Sequence, residues 1–441
     1  MALSKSCITK IIPCMALSYS LGANAYELLA SGGTKVDASL EAVYALMHSD
    51  KNYNVLNNRD PGSSNWSEGY IKYGLSGSQE IANSSTAYGA FNLISSGTWG
   101  DGDAAGFTQG SERRTAVNDA YFGWRSGDMF PTLGHNGLDV SAGSQQVMIG
   151  DGFLIHSDGL SYGDADLGGN YDRGGAYYLA ARKAFKNTAV VKIGGSEGWR
   201  SDLAWIKSDN RAQAETELGL ATLEHVNELG TLGVTYIRGL DVNERYATPL
   251  QRERDGMNVA SIRGVGSLGV EQLHLSFEYA TQDRSDGREN AWYLEGGWTF
   301  KDLTWSPTVT YRYSRFSENY DTLFYGQSRG YGTWFQGEVA SNYAGPFNQN
   351  TKVHHVGIKA KPTESLTVGA LAFDFRTINK NQGNLDGREL DLYAEWMVNE
   401  HLMISPVIGF YQPKKSAQDG GLQLGDNSTN TYLQLIVGTF F

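Results

Sequence analysis

The chain has 441 residues, 48 acidic against 36 basic side chains, a formal net charge of −12, and abundant glycine (54), tyrosine (25) and tryptophan (10) with only two cysteines. So acidic a chain without clustered Lys and Arg excludes a nucleic-acid partner, whose phosphates require such clusters. No apolar run is long enough for a membrane-spanning helix, and two cysteines cannot frame a disulfide-stapled fold.

The first residues, "MALSKSCITKIIPCMALSYSLGANA", carry Lys5 and Lys10, an apolar stretch from Ile11 to Leu21 and Ala23-Asn24-Ala25. This pattern predicts a signal peptide over 1–25, followed by one barrel domain over 26–441. Cleavage after Ala25 removes Cys7, Cys14 and two lysines but no acid, so the net charge moves from −12 to −14.

Period-two patterning then dominates. In 35–49 Val36, Ala38, Leu40, Ala42, Tyr44 and Leu46 share one face, with Lys35, Asp37, Ser39 and Glu41 on the other. The same alternation runs through "VEQLHLSFEYA", "WYLEGGWTF" and "GRELDLYAEWMV". Eighteen such segments are expected, from 35–48 to 431–441, among them 139–149, 176–185 and 188–206. The count is sixteen if the weakly alternating 139–149 and 188–206 are discounted. No helical region is expected. Long polar loops near 49–66, 155–175, 281–290, 316–352 and 412–430 alternate with short turns such as 185–188, 228–230 and 398–401. This rhythm predicts an all-β, antiparallel, up-and-down transmembrane β-barrel of about eighteen strands. The loop 316–352, with Arg329 and many aromatics, is the candidate to narrow the lumen. Trp298, Phe300, Trp305, Phe410 and Phe440 are expected in interface girdles. The final strand, "TYLQLIVGTFF", is expected to close the barrel against the first, because open edges in lipid leave backbone groups unsatisfied.

Motifs for chemistry are weak. "GVGSLG" (264–269) lies between strands and reads as a turn, and "GGSEG" around Ser196 reads as a glycine bend. Asp164, Asp166, Asn170 and Asp172 supply oxygen ligands in a glycine-rich loop, but not at EF-hand spacing, so no metal site is assigned with them. His354 and His355 are adjacent and point to opposite faces. No cofactor and no catalytic residue is expected; the chain does not read as an enzyme. Charges on strands must avoid lipid, which costs roughly 2–4 kcal/mol for Arg or Lys at the midplane. This places Lys72, Arg125, Arg182, Lys192, Arg200, Arg263, Arg312, Lys359 and Arg376 inward. Acids expected inward are Asp37, Glu41, Glu68, Glu278, Glu295, Asp374, Glu389, Asp391 and Glu395.

Several stretches resemble the alginate-export family of outer-membrane porins. In "DAYFGWRSGDMFPTLGHNGLDVSAGSQQVMIGDGFLI" Gly143, Gln145, Gly150 and Asp151 match the family pattern, with Ser144 where the family has arginine. "TYRYSRFSENYDTLFYG" resembles its tyrosine-rich strand and loop. The segment from "LTVGALAFDF" to "GFYQPKK" resembles its last paired strands, with Gly387, Glu389, Asp391 and Leu392 at the core. The resemblance implies an eighteen-stranded barrel and passage of an anionic polysaccharide past arginines, a role it extends to Arg125 and Arg312.

Together these readings predict a channel in the outer membrane of a Gram-negative bacterium, both termini periplasmic. It would pass hydrophilic, anionic or carbohydrate-like solutes passively. The alternatives are a general diffusion porin for small solutes and an adhesion or receptor barrel acting through long external loops. Expected partners are outer-membrane lipid, a small hydrophilic or polysaccharide solute and the barrel-insertion machinery, the last because the final strand resembles the C-terminal signal of bacterial outer-membrane barrels, with Thr439 where the family has an aromatic.

Overall fold

The computed structural model describes residues 25–56, 58–164, 171–326, 329, 336–423 and 425–441. The expected signal peptide, Ala25 apart, lies outside the described residues, as do Asp166 and Asn170.

A short strand, β1 (Tyr26–Ser31), opens the described chain and turns through Gly32 and Gly33, both at positive φ, onto β2. The wall is β2 (Thr34–Ser49), β3 (Ser64–Glu80), β4 (Thr86–Gly100), β5 (Arg113–Arg125), β6 (Leu138–Gln145), β7 (Phe185–Ile193), β8 (Gly198–Lys207), β9 (Glu217–Asn227) and β10 (Gly230–Asp241). It continues through β11 (Asn258–Gly266), β12 (Leu273–Arg284), β13 (Gly287–Thr299), β14 (Thr308–Phe316), β15 (Thr351–Thr363), β16 (Leu366–Thr377), β17 (Gly387–Met397), β18 (Leu402–Pro413) and β19 (Asn430–Phe440). Each strand pairs antiparallel with its sequence neighbour, and β19 pairs with β2 from Tyr432↔Ser49 to Phe440↔Glu41. Phe441 and Leu40 exchange two backbone hydrogen bonds at 2.8 Å just past that ladder. The result is a closed eighteen-stranded barrel, and both ends of the described chain lie at the rim of the short turns.

Alternation sorts the side chains as lipid outside and water or packing inside require. On β19, Leu433, Leu435 and Val437 are 43, 37 and 37% exposed, whereas Tyr432 and Ile436, on the other face, are fully buried. Outward Leu46, Leu75, Leu223, Val234, Leu294 and Ile358 continue that apolar belt around the wall. So much exposed apolar surface is a lipid-facing one. Trp298, Phe300, Trp305 and Phe410 are likewise exposed. Phe440 is not in the girdle: its register with Glu41 turns it inward, where it is buried.

The strand count agrees with expectation, but two errors cancel within it. Residues 176–184 form no strand; they belong to an inward loop, and the expected turn at 185–188 is the start of β7. The single strand expected over 188–206 is two, β7 and β8, broken at Gly194 and Gly198, both at positive φ. The long loop expected at 281–290 is a two-residue turn, Ser285-Asp286, between β12 and β13. A one-turn helix, α1 (Pro249–Arg252), capped by Thr248 and Gln251, sits in the loop after β10, where no helix was expected.

The core lies inside the barrel. Loops 146–184 and 317–350 enter it and bury their apolar side chains against the wall. Tyr177, Leu179, Val339 and Tyr343 pack with Val43, Trp66, Phe373 and Tyr432. Ile155, Tyr320 and Phe324 pack with Phe185, Val259 and Tyr293. The described residues of 316–352, the candidate to narrow the lumen, thus pack inside the barrel. The entry of 146–184 was not foreseen.

Candidate solute pathway

Register brings inward charges of opposite sign side by side. Arg125 faces Asp139, Asp139 faces Lys192, and Lys192 faces Asp202 on four successive strands. A second row runs Arg200, Glu224, Gly233, Arg263 and Glu278 across β8 to β12. A third places Glu295 opposite Arg312. Opposite charges directly across a ladder stabilise by a few tenths to 1 kcal/mol each. The Arg125–Asp139 pair is at 3.1 Å, Lys72–Asp119 at 2.8 Å and Arg200–Glu224 at 2.5 Å; Arg263 closes on Glu224 and Thr235. Gly233 makes the second row possible: a Cβ there would stand 3.0 Å from Glu224 Cγ and 3.3 Å from Arg263 Cζ.

Exposure separates solvent-reached from buried charges. The side chains of Arg125 and Arg200 are 46% and 41% exposed, and Lys192 is exposed as well, so solvent reaches this part of the inner wall. Arg312 and Glu278 are buried. Arg329 of loop 317–350 joins the loops to the wall: its guanidinium donates to Asp151 at 2.8 Å and to Glu295 at 2.6 Å, and lies 2.9 Å from His274 Nε2. Burial alone would lower its pKa, but Glu295 and Asp151 outweigh that and hold it well above the usual value.

The two loops also grip each other. His156 N–H donates to the Phe324 carbonyl at 2.7 Å, Tyr177 Oη to the Asn342 carbonyl at 3.0 Å, and Tyr178 Oη to Glu338 Oε2 at 2.5 Å. Glu389 on β17 accepts the N–H groups of Val339 (2.7 Å) and Ala340 (2.8 Å), one on each carboxylate oxygen. Gly337 permits this, since at φ +106 it lacks the Cβ that would meet Glu389 at 2.7 Å. Burial pushes Glu338 up to about 7 and His156 down to about 4.

Register puts Lys72, Arg125, Lys192, Arg200, Arg263, Arg312 and Lys359 on the inner wall, with Asp37, Glu41, Glu68, Glu278, Glu295, Glu389, Asp391 and Glu395. Three expectations fail. Arg182 lies in loop 146–184, buried against Asp209 at 2.6 Å, and is not on a strand. Arg376 and Asp374 face outward, because their neighbours Leu371, Phe373 and Phe375 point in and are covered by the loops. Asp119, Asp139, Asp202 and Glu224 were missed; each is the inward partner of a cation, a relation only pairing reveals. The Asp164 backbone N–H donates to Glu112 Oε1 at 3.1 Å, Asp172 Oδ1 accepts the Gly174 N–H at 2.7 Å, and among the described residues no His, Cys, Asp or Glu cluster fits a metal.

Solved porins share this architecture. A BenF-like porin from Pseudomonas fluorescens Pf-5 superposes with TM-score 0.57 at 11% identity, over 92% of this chain and 98% of that one. Acinetobacter baumannii OccAB2 gives 0.56 at 9% identity, with the same coverage. Pseudomonas aeruginosa OccK7 gives 0.54 at 13%, again over 92% and 98%. At such identities the likeness is one of fold, and it defines a porin-type transmembrane barrel. No protein-family model and no curated protein matches the chain, so the alginate-export resemblance rests on the quoted residues alone.

Proposed function

We propose that the chain is a channel of a Gram-negative outer membrane through which small hydrophilic solutes diffuse. The observation that carries this reading is the row Arg125–Asp139–Lys192–Asp202, solvent-reached and of alternating sign, on the inner wall of a closed barrel. Barrels of sixteen to eighteen strands leave room for water, and paired charges hydrate a solute of either sign. Loops 146–184 and 317–350 narrow the passage. The short-turn rim is the periplasmic face, and β19, which closes the barrel against β2, is the segment offered to the insertion machinery.

Export of an anionic polysaccharide asks for uncompensated arginines, yet Arg312 is buried on Glu295 and Arg125 is shared with Asp139. A receptor acting through external loops would keep its long loops outside, whereas the two longest pack inside. Liposome swelling tests the choice. Proteoliposomes are expected to swell in monosaccharides and in amino acids of either charge, with current unblocked by an oligouronate. Swelling confined to anionic sugars, with block by the oligouronate, would favour the polysaccharide reading.

A further inference from the structure

We propose that the outer wall of β14–β17, at the long-loop rim, binds a phosphorylated lipid headgroup of the external leaflet. The inference rests on the outer-membrane reading above, which makes that rim the external one.

The outer wall carries an imbalance of charge where balance is expected. Arg315 faces Lys352, and Lys352 faces Arg376, on three neighbouring strands, all turned away from the lumen. Like charges directly across a ladder repel. At the strand spacing of a sheet the three span about 10 Å. Among the described residues no carboxylate lies within ion-pair distance of Arg315 or Lys352; Arg315 has the Asn290 amide oxygen at 3.0 Å. The acid of the adjoining outward row, Asp374, is already shared by Arg376 (2.5 Å), Arg388 (3.3 Å) and Lys414 (2.8 Å). One carboxylate thus answers three cations while Arg315 and Lys352 have none, on a chain whose net charge is −12.

Depth identifies the missing anion. Trp292 continues the basic row as the cross-strand partner of Arg315, and the outward rings one step toward the midplane are Tyr313 and His354: Trp292–Tyr313 centroids lie 5.1 Å apart and Tyr313–His354 4.9 Å. Aromatic rings of this kind mark the headgroup level, and exposed Val356 and Ile358 follow toward the midplane. The cations therefore sit where lipid phosphates lie. A headgroup with two phosphates complements the row better than one with a single phosphate, because Lys352 and Arg315 lack a counter-ion while Arg376 shares Asp374 with Arg388 and Lys414.

The test uses the purified barrel in detergent, with native mass spectrometry reading adducts of bisphosphorylated lipid A, its dephosphorylated form and inorganic phosphate as competitor. Bisphosphorylated lipid A is expected to bind and the dephosphorylated form not. The triple substitution Arg315→Gln, Lys352→Gln, Arg376→Gln is expected to weaken binding about a hundredfold, about fivefold per cation. Lys35→Gln, Lys301→Gln and Lys361→Gln at the opposite rim are expected to leave it unchanged. Should the triple variant fail to fold, Lys352→Gln alone carries the fivefold arm. Equal binding of the dephosphorylated lipid, no loss in the variants, or an equal loss at the opposite rim would overturn the proposal. Displacement by millimolar inorganic phosphate would do so too, by showing a free-anion site. Channel current is expected to be unaltered by these outer-wall variants, so failure of this site and failure of the channel reading are told apart.

Discussion

Glu389→Gln isolates the seat of loop 317–350. In the native wall each carboxylate oxygen of Glu389 accepts one backbone N–H, Val339 at 2.7 Å and Ala340 at 2.8 Å, and all three residues are buried. Glutamine keeps one acceptor and turns an NH₂ toward the other N–H. One bond is lost and two donors face each other without water. Leaving a buried group unsatisfied costs about 1–3 kcal/mol, which shifts the seated-to-displaced ratio of the loop roughly 5- to 150-fold. Single-channel recording reads that ratio: the variant is expected to show a noisier, larger conductance, with faster amide exchange over 336–344. The barrel should still migrate as a heat-modifiable band, since the strand ladder is untouched. A variant with native conductance and native exchange in that segment would refute the argument that Glu389 holds the loop.

The loops should also respond to pH. Glu338 is raised from 4.5 to about 7 by burial, so its protonated form is the one that fits. Its contribution is full below about 4.5 and is lost as pH rises through about 7. His156 is lowered from 6.5 to about 4, so its contribution is full above about 6.5 and is lost as pH falls through about 4. Conductance is therefore expected to rise on the alkaline side of 7, and Glu338→Gln to flatten that limb; an unchanged limb would count against it. Replacing Arg125 and Arg200 together by Gln is expected to move the reversal potential under a salt gradient toward cations, because both are solvent-reached. Gly233→Val is expected to separate Arg263 from Glu224 and to destabilise by about 1–3 kcal/mol through overpacking, read as a lower temperature of heat modification. Leu435→Arg, on the lipid face of β19, is expected to cost roughly 2–4 kcal/mol in denaturant titrations in lipid vesicles; an unshifted midpoint would place Leu435 away from lipid.

Much of the barrel was legible because lipid and water impose a period of two. β19, β17 and β2 declare both faces in their own residues. The loop interior was less legible. "AYYLAARKAF" (176–185) alternates like a strand, and its apolar side chains are buried, but against a wall supplied by distant β2 and β3. The same limit reversed β16. Phe373 and Phe375 looked lipid-facing beside Asp374 and Arg376, yet they are the inner face, made dry by loop 317–350. A binary pattern cannot tell an apolar face turned to lipid from one covered by a loop. Paired acids such as Asp139, Asp202 and Glu224 were hidden for a related reason: their importance lies in cross-strand register, which no single strand contains.

The claim beneath all of this is that water and ions pass along the inner wall beside Arg125, Lys192 and Arg200. Planar-bilayer recording of the purified protein tests it most directly. Discrete, ohmic current steps, with a reversal potential displaced toward cations by the Arg125→Gln, Arg200→Gln pair, are the predicted result. A folded protein that inserts and stays electrically silent, or one whose selectivity ignores both arginines, would contradict it.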